Sequence, residues 1–506
     1  MGARTGAEFL SGLKSSREVW VGGEKVTDVV SHPAFAGAAH TLAEIFDLQH
    51  RERATCLMPD PETGESIGVS HMIPRSRQDL ERRHQALQTI AEFTVGLMGR
   101  TPDYMNVTYA GFAGRADEWA VGDNDCGAAN LVAYQKHLRR NDISLTHTIV
   151  HPTIDKSKGD VPAPGDPVPL HKVEDTAHGI IVRGARILAT LAPFADELAV
   201  YPAIGLGEGG DAYALSFCIP MSTPGLKFLC RDSCAITGNR FDHPLSSRFD
   251  EQDAFVIFDD VEVPRDRIFI NANRQAYNTV MTTGWYPNVM QQTMIRAHTK
   301  LEFAYGLGTR MAEAIGDQSP ATRQMLGEIW TYAEMVRASL RAAETEAFEY
   351  GSGVWFPNGG PLAALRATLP TWFPRVGEIL TLIGSHNLLA TPARAQLDDP
   401  NLRKLLDLYL HGPGGISAED RARIFRLAWD FVGTSLAGRN QLYERFYLAS
   451  GARNYQIAHM MSPKERPFRL VDQAFGLARA KNDGAGAQDQ KQTVNLPQTG
   501  WEAVRK

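Results

Sequence analysis

The feature that most constrains this chain is a change of texture between residues 146 and 272. Short β-branched runs follow one another there with Gly and Pro between them: HTIVHP, HKVEDTAHGIIVRGARILAT, ELAVYPAIGLG, AYALSFCIPM, LKFLC and AFVIFDDVEVP. They alternate as half-buried antiparallel strands do, and TAHG has the composition of a hairpin break. The flanks are patterned differently. SRQDLERRHQALQTIAEFTVGLMG carries Leu80, Leu87, Ile90, Phe93 and Leu97 at helical spacing up to Gly99, and GAANLVAYQKHLRRND is a second helical stretch. Downstream, VMQQTMIRAHTKLEFAYGLGTRMAEAIG, QMLGEIWTYAEMVRASLRAAETEAFEYG, EILTLIGSHNLLA and RIFRLAWDFVGTSLAGRNQLYERFYLA are apolar on more than one face, as bundle helices at a subunit interface are. With 506 residues, the chain exceeds one ordinary core. The expected fold is α+β and multidomain: a mostly helical domain over 1–145, a central antiparallel, barrel-like β domain over 146–272, a four-helix-bundle domain over 273–481 and an extended polar tail over 482–506.

Charge and cysteines narrow the function classes. A formal net charge of −6, with both signs interspersed, offers no basic stripe for nucleic acid and no polybasic patch for a membrane surface. No apolar run reaches the roughly 18 to 20 residues that span a bilayer, and the opening MGARTGAEFLSGLKSS lacks the apolar core of a secretory signal, so a cytoplasmic location is expected. Cys56, Cys126, Cys218, Cys230 and Cys234 are odd in number and scattered, which suits a reducing compartment. Cys230 and Cys234 have no second pair at metal-site spacing, and no metal is expected.

Arg100, Tyr104 and His147 stand out as polar groups in apolar neighbourhoods. Pro102 disfavours a helix interior, so residues 100–104 are expected to turn between helices, while His147 lies where the β domain begins. A cation, a phenol and an imidazole meeting in a cleft would bind a phenolate, although spacing alone favours an ordinary surface Arg, a packed Tyr and a hydrogen-bonded His. His147 and His151 in HTIVH are not a zinc pair, because on a strand residues i and i+4 lie about 13 Å apart. GLGEGG at 205–210 matches a dinucleotide fingerprint loosely, follows no βαβ pattern, and reads as a flexible loop able to serve as a lid.

Six segments, in order, carry a resemblance: GRTPDYMN, SLTHTIVHPTIDKSK, GIIVRGARILAT, STPGLKFLCRDS, FDDVEVPRDRIF and DFVGTSLAGRNQLYERFY. Over roughly residues 5–475 the chain resembles the 4-hydroxyphenylacetate 3-hydroxylase large-component family, which includes phenol and chlorophenol monooxygenases and hydroxylases of tyrosine-derived intermediates. The resemblance implies an acyl-CoA dehydrogenase-like fold, a homotetramer built on the C-terminal bundle, and ortho-hydroxylation of a small phenolic substrate by reduced FAD and O2 through a flavin hydroperoxide. It implies that Arg100, Tyr104 and His147 surround the substrate hydroxyl, with Ala203, Ile204 and Gln292 also at the substrate and residues 203–211 covering it. The flavin would be lined by His147, Thr148 and Ile149, by Thr153, Ile154, Asp155 and Lys156, and by Thr190 near its reactive nitrogen. Arg439 and the run Ala449, Ser450, Gly451 and Ala452 would reach it from the bundle. With no NAD(P)H fingerprint in the chain, reduced FAD would come from a separate NAD(P)H:flavin reductase.

Three rivals are weaker. In the 4-hydroxybutyryl-CoA dehydratases of the same fold, [4Fe–4S] ligands fall near the positions of Arg100, Tyr104, Gln292 and Thr299, none of which supplies a thiolate or imidazole. An acyl-CoA dehydrogenase needs a carboxylate base for which no Glu presents itself. A non-catalytic scaffold has no use for the Arg, Tyr and His set. Gln292 stands where some chlorophenol-type relatives carry a histidine, which favours His147 as proton acceptor and ordinary hydroxylation over dehalogenation.

Overall fold

The structure, a computed structural model, describes residues 2–159, 161–236, 239–281 and 285–475, so the tail expected over 482–506 lies outside the described residues. The strand-rich centre forms two sheets, one of six strands and one of four. Asp253–Pro264 shows why these residues are strands: Ala254, Val256, Phe258, Val261 and Val263 are buried in near-alternation, and the phase slip between Phe258 and Val261 is a bulge containing Asp260 at φ 53°. The strand pairs antiparallel with Gly179–Thr190, which in turn pairs with His171–Asp175 across the TAHG turn. Phe217 and Phe258 meet edge to face at 6.2 Å between the two sheets, inside a core that also takes Phe9, Leu42 and Phe46 from the N-terminal helices.

Three details depart from the sequence reading. Glu18–Val21 and Glu24–Val26 form a hairpin that adds to the large sheet, with Val19 beside Phe228 in parallel register, although that segment was expected to be part of a mostly helical region. The helix Arg77–Phe93 stops six residues short of Gly99, because Val95 and Gly96 take positive φ. Pro102 then opens the helix Pro102–Gly114 at its first turn, where a missing N–H costs nothing, so the turn expected over 100–104 lies earlier and Tyr104 is helical.

On the C-terminal side, Trp285–Ile315, Pro320–Thr345, Gly359–Gly384 and Ala418–Val432 share one apolar core that includes Met294, Leu301, Ile329, Val336, Leu369, Ile379 and Phe425. Gly359–Gly384 runs through Pro370 and Pro374 and starts nineteen residues before the periodic EILTLIG stretch. No helix among the described residues is long and apolar enough to cross a membrane. The fold is the α+β, acyl-CoA dehydrogenase-like architecture: helices, antiparallel sheet with two parallel pairs, then a helical bundle.

Candidate active site

Leu145–Thr148 is a strand buried along its whole length, parallel to Glu197–Val200, with His147 beside Ala199. Tyr201 follows directly on the neighbouring strand. The pairing therefore brings two rings to one level, and the His147 and Tyr201 centroids lie 5.5 Å apart. The helix that starts at Pro102 supplies the third: Tyr104 stacks on His147 at 5.6 Å with planes 20° apart. Arg100, just before that helix, places its guanidinium carbon 4.1 Å from the Tyr104 ring centre. The three residues singled out in the sequence thus form one column, Arg100 over Tyr104 over His147, and Tyr201 extends it.

The electrostatics of the column are set by burial. His147 is held well below the usual imidazole range, first by burial and then by the Arg100 charge, so it is neutral at physiological pH. Burial works against the Arg100 charge, but the facing phenols of Tyr104 and Tyr443 and the Glu251 carboxylate outweigh it and keep the guanidinium cationic. Arg100 Nη1 donates to the Tyr443 hydroxyl at 2.6 Å and its backbone N–H donates to Glu251 Oε1 at 2.7 Å. Tyr443 stacks on Tyr447 at 4.5 Å, and Arg296 and Lys300 clamp Glu444 of the same helix, Ser435–Phe446. Tyr201, Glu251 and Tyr443 were not singled out from the sequence. Each meets the column through contacts between residues far apart in the chain, which leave no local pattern.

Thr190 and Arg439 meet at Asp253. The Thr190 hydroxyl donates to Asp253 Oδ1 at 2.8 Å, Arg439 Nη2 donates to the same oxygen at 2.8 Å, and Arg439 Nη1 donates to Glu251 Oε2 at 2.7 Å. One buried carboxylate, Glu251, therefore ties Arg100 to Arg439. Thr146 donates to the Thr190 carbonyl, and Thr148 donates to the Ile187 carbonyl at 3.4 Å. Ile149 gives its carbonyl to Arg186. Thr153 is half-buried, Ile154 is 76% exposed, Asp155 caps the turn at Ser157, and Lys156 opens the short helix Lys156–Lys158.

The remaining expected residues sit apart from the column in their bonding. Gln292 Nε2 donates to Asp103 Oδ2 at 2.9 Å, one residue from Tyr104, and burial pushes the Asp103 carboxyl up. Ala449 takes φ 70°, Ser450 caps the helix Gly451–Met461 by accepting from the Arg453 N–H, and Gly451 and Ala452 form its first turn. Ala203 and Ile204 are half-buried at the head of the glycine-rich loop. That loop is pinned: Asn278 Oδ1 accepts from the Leu206 N–H and Asn278 Nδ2 donates to the Leu206 carbonyl, both at 2.9 Å.

Comparison with known proteins identifies the family. The family described as 4-hydroxyphenylacetate 3-hydroxylase N terminal matches residues 5–270, and its C-terminal counterpart matches residues 276–476. The oxygenase component of 4-hydroxyphenylacetate 3-monooxygenase from Thermus thermophilus is 38% identical over 94% of this chain and 97% of its own length. The oxygenase component of 4-nitrophenol 2-monooxygenase from a Rhodococcus species is 34% identical over 88% of this chain and 85% of its own. A crystal structure of the oxygenase component of 4-hydroxyphenylacetate 3-monooxygenase with FAD and 4-hydroxyphenylacetate superposes with a TM-score of 0.87 at 37% identity, covering 94% of this chain and 98% of that one. On these matches, the chain belongs to the 4-hydroxyphenylacetate 3-hydroxylase family.

Proposed function

We propose that this protein is the oxygenase component of a two-component aromatic hydroxylase, which uses reduced FAD and O2 to convert a phenol into a catechol. One oxygen atom enters the ring carbon next to the hydroxyl, the other leaves as water, and the flavin leaves oxidised. The observation that carries the reading is the column of Arg100, Tyr104 and His147, a permanent cation and a neutral imidazole held on either side of a phenol side chain.

Val150 and Leu188, near the ends of Leu145–Thr148 and Gly179–Thr190, are 38% and 52% exposed and would meet the apolar face of a flat ring. Thr148, Ile149, Thr153, Asp155, Lys156 and Thr190 would hold the flavin there, with Arg439 and residues 449–452 on the bundle side. When bound, reduced FAD with O2 supplies an electrophilic oxygen atom. Everything else falls to the side chains. Arg100 stabilises negative charge on the substrate oxygen, which makes the ortho carbon nucleophilic. His147, neutral in this setting, takes the phenol proton at an imidazole nitrogen, and Tyr104 donates a hydrogen bond that orients the oxygen. Ala203, Ile204 and the loop that Asn278 pins exclude water from the ring.

The Gln292 amide bonded to Asp103 offers no base, so hydroxylation is favoured over dehalogenation of a chlorophenol. Reduced FAD comes from a separate NAD(P)H:flavin reductase. The exposed Leu402, Leu405 and Leu408 on the helix Pro400–Tyr409 support an interface between copies of this chain, which would work as a homotetramer in the cytoplasm. The test is chemically reduced FAD, O2 and a panel of phenols, following catechol against H2O2. Catechol from at least one phenol is expected; H2O2 alone from every phenol overturns the reading.

A further inference from the structure

The helix Pro102–Gly114 is tied to Trp285–Ile315 on two successive turns. Asn288 Nδ2 donates to the Val107 carbonyl at 2.7 Å, and one turn away Gln292 Nε2 donates to Asp103 Oδ2 at 2.9 Å. Asp103 and Gln292 are 2% and 3% exposed, so neither the carboxyl nor the amide can turn to solvent for a missing partner. Each lacks one: Asp103 Oδ1 and Gln292 Oε1 meet no donor at hydrogen-bonding geometry. The two unsatisfied oxygens are the second arms of two planar groups whose first arms are already joined.

An ionised carboxylate leaves this unresolved, because both atoms are then acceptors. With a proton on Oδ1 they match: Oδ1–H donates to Oε1 while Nε2–H donates to Oδ2, and a planar acid–amide ring closes with no third group. Burial acts in the same direction. It is the largest influence on the Asp103 carboxyl and pushes it up, although the Thr101 hydroxyl and the Gln292 amide favour the charged form. The cations near this helix in sequence or packing are committed elsewhere among the described residues: His71 is bonded to Asp142, Arg139 to Asp60, Arg296 to Glu444 and Arg100 to Tyr443, while His147 is neutral. Cys56, on which an Asp103 charge would also act, is a thiol pushed up to about 11, first by burial. A neutral pair suits its neighbour as well. Tyr104 follows Asp103 directly, and a carboxylate there would oppose the negative charge that Arg100 stabilises on a phenol oxygen.

We propose that Asp103 is a protonated carboxylic acid closed into a cyclic pair with Gln292, a positioning pair that fixes Tyr104 through its helix without adding charge behind the column. Its effect on the reaction rests on the hydroxylase reading; its protonation state does not. The full-length protein is compared with Asp103→Asn, Thr101→Val, Gln292→Glu and the double variant Asp103→Asn with Gln292→Glu, which moves the acid across the ring. Two readouts are used: denaturant unfolding from pH 5 to 7, and the pH at which bound 4-nitrophenol ionises, read from the absorbance of its phenolate.

An acid that keeps its proton in the folded protein releases it on unfolding above the ordinary carboxylate range, so folding weakens as pH rises. Relative to Asp103→Asn, in which an amide keeps both bonds of the ring, the wild-type unfolding constant should grow about tenfold per pH unit. Thr101→Val should keep that dependence. Gln292→Glu alone makes two acids share one proton, and the pH at which the bound phenol ionises should rise by about one unit; the double variant should bring it back. Parallel pH profiles for the wild type and Asp103→Asn overturn the proposal, because the carboxyl is then ionised. So does a bound phenol that ionises about one unit lower in Asp103→Asn, since only a charge could be lost by that exchange. Loss of the pH dependence in Thr101→Val would make the Thr101 hydroxyl the proton's acceptor and overturn the ring. If the wild type hydroxylates no phenol, the hydroxylase reading falls, and the unfolding profiles still decide whether Asp103 holds a proton.

Discussion

Two buried arginines show opposite solutions to the same problem. Arg296 is 1% exposed and meets Glu444 through two bonds of 2.7 and 3.0 Å, with the Tyr447 hydroxyl at 3.1 Å and Lys300 on the same carboxylate. Arg186 is equally buried and faces neutral groups, the Ile149 carbonyl, the His151 imidazole and the Tyr277 phenol, with no carboxylate partner among the described residues. A charge satisfied within the fold fixes neighbouring elements; here it locks the helix Ser435–Phe446, and with it Tyr443, behind Arg100. A charge held by neutral groups alone leaves its field uncompensated, and here that field helps to keep the His151 ring neutral.

That contrast is sharpest at Glu444. Glu444→Gln leaves Arg296 and Lys300 buried without a counter-charge, and the protein should lose about 3–5 kcal/mol of stability in denaturant unfolding. A loss below about 1 kcal/mol would mean that the clamp is not what holds the helix.

The next effect falls on chemistry. His147→Ala removes the neutral imidazole stacked on Tyr104 and should lower catechol formation on the order of 10²-fold, with H2O2 released in its place. FAD affinity should stay within about threefold. Unchanged coupling in this variant rejects the proton-accepting role. Tyr443→Phe is milder: the Arg100 Nη1 bond at 2.6 Å is lost while the stacking on Tyr447 remains. Hydroxylation should drop about tenfold, in keeping with one hydrogen bond to a charged group, and the pH at which the bound phenol ionises should rise. A fall in FAD affinity with no change in that pH would place Tyr443 in cofactor binding instead.

Legibility in the sequence followed the range of the interactions. The alternation of Asp253–Pro264 and the helical spacing of Leu80, Leu87 and Ile90 are local, and both became the elements expected. The hairpin Glu18–Val26 escaped notice because strands of three or four residues around Gly22 and Gly23 are too short to show a period. Pro370 and Pro374 hid the first half of Gly359–Gly384 in the same way, since a proline reads as a break unless packing compensates for it. At the site, Arg100, Tyr104 and His147 were legible as unusual residue types. Their convergence came from resemblance, because their stacking depends on the Leu145–Thr148 register. Glu251 lies 151 residues from Arg100 and Tyr443 lies 343 residues away, so no window of sequence could pair them.

The smallest predicted effect concerns His151, whose Nε2 lies 3.1 Å from Arg186 Nη1. An imidazole whose ionisation is depressed in the folded protein takes its proton only in the unfolded chain. Folding stability must then decrease as pH falls below the ordinary histidine value of about 6.5, and the decrease continues toward the folded value of about 2. From pH 7 to pH 6 one such group costs ~0.7 kcal/mol. His147 adds a decrease of the same sign, and Glu444, held down to about 2 by Arg296 and Lys300 against the cost of burial, contributes only below about pH 4.5, where the unfolded carboxylate begins to bind its proton. His151→Gln should therefore remove ~0.7 kcal/mol of the change between pH 7 and 6, on which His298 and, with opposite sign, Glu118 and Asp103 also act, and leave the acid limb below pH 4.5 untouched. A slope that stays as steep as in the wild type would mean that His151 carries a proton beside Arg186, and two adjacent cations would then demand a counter-ion already in place.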